Sequence, residues 1–147
     1  MKGMLIVAAA LCFSLNNIAL ASETLSIKPG LWRNGGTVKI NGQALPDSPE
    51  DDEDECVSAE EAKDLRASMG SNFEDSGCKI TSWQNQGDAL EIGLQCVNEE
   101  GTSKGKLSGL HTATAFDLKG RMVGTHVQAG AITIDMHWYG KYVGKCR

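Results

Sequence analysis

From Ala131 to Tyr139 the chain alternates. Ile132, Ile134, Met136 and Trp138 are apolar, and Thr133, Asp135, His137 and Tyr139 stand between them. A period of two puts one set on a buried sheet face and the other toward water. The same reading gives strands at 78–84 and 89–97 around Asn85-Gln86-Gly87-Asp88. It gives two more at 106–116 and 121–127, flanking an apparent turn at Asp117-Leu118-Lys119-Gly120. The 131–139 strand follows Gln128-Ala129-Gly130. Short strands at regular spacing, separated by turn residues, predict an antiparallel meander. Near the start, Pro29-Gly30 marks a turn into a first strand over Leu31–Ile40. Gly35-Gly36 predicts a bulge or tight bend within it.

One segment has a different period. Ser58-Ala59-Glu60-Glu61 is a capping box, with Val57 and Ala62 at the staple positions. Ala62, Leu65 and Met69 then recur at helical spacing, and Gly70 ends the pattern. The predicted helix covers about 58–69. Ahead of it, Asp47, Glu50, Asp51, Asp52, Glu53, Asp54 and Glu55 crowd seven carboxylates into nine positions. Mutual repulsion predicts a solvated loop, with a strand edge at most just before Cys56.

Residues 1–21 read as a secretory signal peptide: Lys2, an apolar run from Met4 to Leu15, and Ala19-Leu20-Ala21 before a cleavage point at Ser22. A membrane anchor is the competing reading, but Asn16-Asn17 cuts the run short of the roughly 20 apolar residues a span requires. Residues 22–147 are then one domain, not membrane-spanning, with periplasmic localisation expected. Aromatic residues make up only 5% of the chain, so the core is small and benefits from cross-links. Cys12 leaves with the signal. Cys56, Cys78, Cys96 and Cys146 remain, an even set without C-x-x-C spacing, which favours two disulfides over zinc.

Three connectivities are open. Cys78 and Cys96 lie symmetrically about Gly87, so an odd-length hairpin loop would face them across neighbouring strands, leaving Cys56 for Cys146. The fold expected is mainly β: a single antiparallel meander sheet curled toward a half-barrel, with one short helix and two disulfides.

Several stretches occur in a telling order: Pro29-Gly30-Leu31-Trp32, Cys56-Val57-Ser58-Ala59-Glu60-Glu61-Ala62-Lys63-Asp64, Cys78-Lys79-Ile80, Leu94-Gln95-Cys96, and Gly140 with Val143-Gly144-Lys145-Cys146. Together they resemble the exported proteobacterial family catalogued as domain of unknown function 3617. The resemblance implies export and a disulfide-linked β fold. It carries no established activity, so no catalytic residue is transferred. The acidic 47–55 segment departs from the family's pattern and leaves a second N-terminal strand in question.

The net charge of −5 and the export signal argue against nucleic acid as a partner. Charge is uneven, however. Residues 101–147 hold seven Lys/Arg and two acids, whereas 47–61 holds nine acids and no Lys or Arg. The two regions either attract each other within the fold or leave a basic face for an anionic envelope component. The acidic run lacks the spacing of a calcium loop. If Asp117–Gly120 is a two-residue turn, His111 opposes His126 and the pair, with Asp135, is a candidate metal site. A three-residue turn puts them on opposite faces. No nucleophile elbow, phosphate loop, zinc-protease or dinucleotide motif is present.

The function expected is a non-enzymatic binding or interaction module without a cofactor. Its ligand would be a small apolar molecule, an envelope component or a protein partner. Trp32, Trp83, Trp138, Met122 and Met136 are candidate lining residues, with core packing as their competing role. The alternative is a periplasmic hydrolase or metal-handling protein using His111, His126 or His137.

Overall fold

The computed structural model describes residues 24–45 and 52–147; the expected signal peptide and Asp47, Glu50 and Asp51 lie outside them. Eight strands form one antiparallel sheet. They are β1 (Gly30–Ile40), β2 (Gln43–Ala44), β3 (Glu53–Val57), β4 (Cys78–Gln86), β5 (Ala89–Asn98), β6 (Gly101–His111), β7 (Ala115–His126) and β8 (Gly130–Gly144). The order is β2-β1-β8-β7-β6-β5-β4, and β3 also pairs with β1. The sheet does not close. Helices α1 (Ala59–Lys63) and α2 (Leu65–Asp75) carry the chain from β3 at one edge to β4 at the other. They therefore strap the inner face.

That inner face has a simple code. Along the β6–β7 ladder, Gly105 faces Met122, Leu107 faces Gly120, Gly109 faces Leu118 and Ser103 faces Gly124. Each large side chain thus lies opposite a glycine or, at Ser103, a small residue opposite one. A Cβ added at Gly105, Gly109, Gly120 or Gly124 would collide with a facing carbonyl, those of Arg121, Asp117, Lys106 and Thr102 respectively. The missing side chains let the inner face contract, which is what a curled sheet requires. Leu90, Ile92, Leu94, Leu107, Leu118 and Met122 pack there with Trp83 from β4 and Met69 from α2.

Several sequence expectations need correcting. Asp117–Gly120 is not a turn. It lies within β7, and Gly120 is there for the close approach to Leu107. The turn is Thr112–Thr114, where the Thr112 hydroxyl accepts from the Thr114 and Ala115 amides at 3.2 and 3.1 Å. The bulge expected at Gly35-Gly36 is absent, because both residues stay in register with Tyr139 and Trp138. The β1–β8 irregularity falls between Leu31 and Trp32.

The helix also differs from expectation. The capping box forms as read: the Ser58 hydroxyl accepts from Glu61 N at 3.2 Å, and the Glu61 carboxylate accepts from Ser58 N at 2.8 Å. The helix then breaks at Asp64, whose carboxylate recaps α2 by accepting from Ala67 N at 3.2 Å. Two backbone groups freed by the break bond to the segment before β1. Ile27 N donates to Ala62 O and Leu65 N donates to Leu25 O, both at 2.9 Å. Gly70 does not end the helix, which runs through it to Asp75 before Gly77 turns the chain at φ 74°.

Finally, the acidic segment contributes a strand. Arg33 clamps Asp54 with two hydrogen bonds, at 2.8 and 3.0 Å, and Asn34 donates to Glu55 at 2.9 Å. These contacts hold β3 on β1 against its own repulsion. A short hairpin at Asn41-Gly42, both with positive φ, adds β2 to the same edge.

The disulfides join Cys78 to Cys96 and Cys56 to Cys146. The first pairing is reached by an unexpected route. The β4–β5 turn has two residues, with Gln86 facing Ala89. That register, continued, would set Cys78 opposite Val97. A bulge between Ile80 and Ser82 slips the ladder by one and brings Cys78 to Cys96.

The glycine code makes a direct prediction. Gly109→Val forces β6 away from β7 and lowers stability by about 2 kcal/mol or more, within the range for overpacking. Ser108→Val, on the exposed face, stays within about 0.5 kcal/mol of wild type. Urea denaturation of the oxidised protein measures both, and an unchanged midpoint for Gly109→Val would refute the close approach.

Candidate ligand-binding cavity

The strap does not fill the inner face completely. Between α2, the Leu25–Ile27 segment and the sheet lies a cavity of about 90 Å³. Its wall is mostly apolar: Leu65 and Met69 come from the strap, and Trp32, Phe116, Leu118 and Trp138 from the sheet. The aromatic rings are mutually ordered. Trp32 stacks on Phe116 with centroids 6.1 Å apart, and Phe116 meets Trp138 edge-on at 5.1 Å. The Trp32 indole N–H donates to Lys28 O at 2.8 Å, so this buried ring has its polar end satisfied.

The aromatic wall depends on Gly140. It faces Phe116 on one side and Asn34 on the other, and a Cβ there would strike both side chains. Asn34, Gly140, Phe116 and His111 thus form one row across β1, β8, β7 and β6. His111 is 8% exposed, and its Nε2 lies 2.8 Å from the Asn85 side-chain oxygen. The Asn85 amide nitrogen donates in turn to Thr24 O at 3.3 Å. Asn34 and His111 both line the cavity, together with Glu55 and Glu61.

A family model described as "Protein of unknown function (DUF3617)" matches residues 27–146. The chain belongs to that family. No curated protein and no solved structure matches it. The stretches by which this DUF3617 chain resembles its family fall on the start of β1, the capped helix and all four disulfide cysteines. They describe a scaffold, and Trp32 is the aromatic residue of the cavity wall that they include.

Trp32 and Trp138 line the cavity, whereas Trp83 and Met122 are buried in the core and Met136 packs against it. The histidines do not assemble. His111 faces Phe116, while His126 faces Gly101 at the far end of the same ladder. The His126 Nδ1 accepts from the Gln128 and Ala129 amides at 3.1 and 3.2 Å, bracing a turn. Asp135 is bound to Arg121 on the outer face at 2.6 Å, and His137 lies 3.0 Å from Asp117. The proposed His111–His126–Asp135 metal site is therefore corrected: a long strand separates the two rings. Among the described residues, no group of three His, Cys, Asp or Glu is placed to hold a metal ion. No described helix is long and apolar enough to cross a membrane.

Sequence reasoning missed Asn34 and Asn85. His111 had a signal that the misplaced turn obscured. It continues the Leu107, Gly109 alternation and so belongs to the inner face.

The outer face carries the basic residues of the second half. Lys106 faces Arg121, and Arg121 faces Asp135, which also faces Lys39. Glu91 and Asp135 partly neutralise this row through ion pairs with Lys106 and Arg121. The Arg121 hydrogen bond holds the Asp135 carboxyl below its ordinary 3.8, and Arg33 does the same for Asp54. A carboxyl depressed by folding contributes stability above its unfolded value, and that contribution is lost as pH falls through the folded value. The two aspartates should titrate below 3.8 in an NMR pH series, and Arg121→Gln should return Asp135 toward it. A wild-type midpoint for Asp135 at or above 3.8 would show that the pair does not form.

Proposed function

We propose that this DUF3617 protein is an exported, periplasmic, non-enzymatic binding module. It takes the apolar end of a small ligand between α2 and the inner face of the sheet. The single observation that carries this reading is the aromatic-walled cavity beneath the strap. Pockets of this kind, apolar with a few polar groups, are where proteins hold small molecules. At about 90 Å³ the cavity is smaller than the roughly 150 Å³ that encloses a benzene, and it is open on one side, so a ring enters it in part and the site suits the end of a molecule. Export is supported by the sequence of residues 1–21 and agrees with two disulfides.

The hydrolase alternative has little support. The buried His111 has its Asn85 partner, but no hydroxyl or thiol among the described residues bonds to its other ring nitrogen. That is not the nucleophile–base arrangement covalent hydrolysis uses.

Native mass spectrometry of protein recovered from the periplasm tests the reading. The expected result is a polypeptide beginning at Ser22 with a bound small molecule. Leu65→Trp, which fills the cavity from the strap, should remove the bound mass while leaving the melting temperature within a few degrees. Protein that carries no adduct and takes up no apolar probe would overturn the proposal.

A further inference from the structure

Two buried polar atoms at the cavity have no partner among the described residues, and both are hydrogen-bond acceptors. The first is His111 Nδ1. The Asn85 amide nitrogen donates to Thr24 O, which turns the Asn85 oxygen toward His111 as an acceptor. The His111 Nε2 must then be the donor in that bond. A neutral imidazole with its hydrogen on Nε2 has a bare lone pair on Nδ1. The second atom is Asn34 Oδ1. Its amide nitrogen is committed to the Glu55 carboxylate at 2.9 Å, which fixes the oxygen over Gly140.

The placement of these atoms is specific. Asn34, Gly140, Phe116 and His111 form one cross-strand row, so the two acceptors flank the Phe116 ring on the same concave face. A buried acceptor left unmet opposes folding. Both sit in a wall otherwise made of Trp32, Leu118 and Trp138. Packing explains those apolar groups but leaves two acceptors, in one cross-strand row of cavity-lining residues, without a role. Glu55 and Glu61 line the cavity too, and their carboxylates add further negative character.

Resting on the reading of this cavity as a ligand site, we infer that its ligand is an apolar molecule bearing a hydroxyl or N–H donor. That donor meets His111 Nδ1, and Asn34 Oδ1, on the far side of Phe116, adds acceptor character to the same wall. The same polarity rejects carboxylates, so free fatty acids and other anionic apolar molecules are excluded. Sites built around polar groups discriminate strongly against analogues that leave those groups unpaired.

Phenol, toluene and benzoate separate the possibilities, because they share a ring and differ in the group presented. Binding to the oxidised protein is followed by NMR at the Trp32 and Trp138 indole N–H signals and at the His111 ring nitrogens. Phenol should bind at least tenfold more tightly than toluene, although toluene is the more hydrophobic. It should also shift the His111 Nδ1 resonance as that atom accepts a hydrogen bond, and benzoate should show no saturable binding. In His111→Phe the phenol preference should fall below about twofold while toluene still binds. Asn34→Ala should reduce the preference as well, and it serves if the His111 variant does not fold. Toluene binding as tightly as phenol to the wild-type protein, or saturable benzoate binding, would overturn this inference and leave the cavity reading intact. Failure of all three to move the Trp32 and Trp138 signals would overturn both.

Discussion

The close approach of β6 and β7 is the constraint on which the rest depends. Ordinary side chains at Gly105, Gly109, Gly120 and Gly124 would hold these strands apart and flatten the sheet. With glycine there, the inner face draws together around Leu107, Leu118 and Met122. The outer face, spread by the same curvature, carries the charged rows. Curling brings the two edges near enough for one short helical connection to bridge them. The space beneath that connection is the cavity.

The strap is held at several points. Its capping box fixes where it leaves β3, and the Cys78–Cys96 disulfide anchors the strand it delivers. The break at Asp64 costs two helical hydrogen bonds, and the Leu25–Ile27 backbone replaces them. The chain ahead of β1 is thereby part of the cavity wall. Cys56–Cys146 closes a separation of 90 residues against 18 for the other bridge. On chain entropy alone these contribute about 4.6 and about 3.2 kcal/mol. For a domain with few aromatic residues, that is a large share of the usual stability of about 5–15 kcal/mol.

Much of this was legible in the sequence because it is governed by local rules. Alternation marks β8, the Ser58–Glu61 spacing marks the helix start, and an even set of four cysteines without C-x-x-C spacing implies two bridges. The failures have a common physical source. Asp117–Gly120 has turn composition, yet Gly120 is required by Leu107 on the facing strand, a contact remote in sequence. Gly70 resembles a helix stop, but the helix is decided by Asp64 and its partners near residue 25. Asn34 and Asn85 look like ordinary polar strand residues. Their importance arises only when six strands, from β1 to β4, bring them to one end of the concave face. The helix of the acidic region's neighbour was easy to see, whereas β3 depended on Arg33 and Asn34, which lie about twenty residues upstream.

The bulge between Ile80 and Ser82 has a consequence for how the protein matures. A β4–β5 hairpin zipped from its turn without that bulge would set Cys78 and Cys96 on opposite faces, where no bond can form. Only the native alignment presents the two sulfurs to each other. Oxidation therefore acts as a proofreading step: it seals hairpins that have registered correctly and leaves slipped ones as free thiols, able to open and try again.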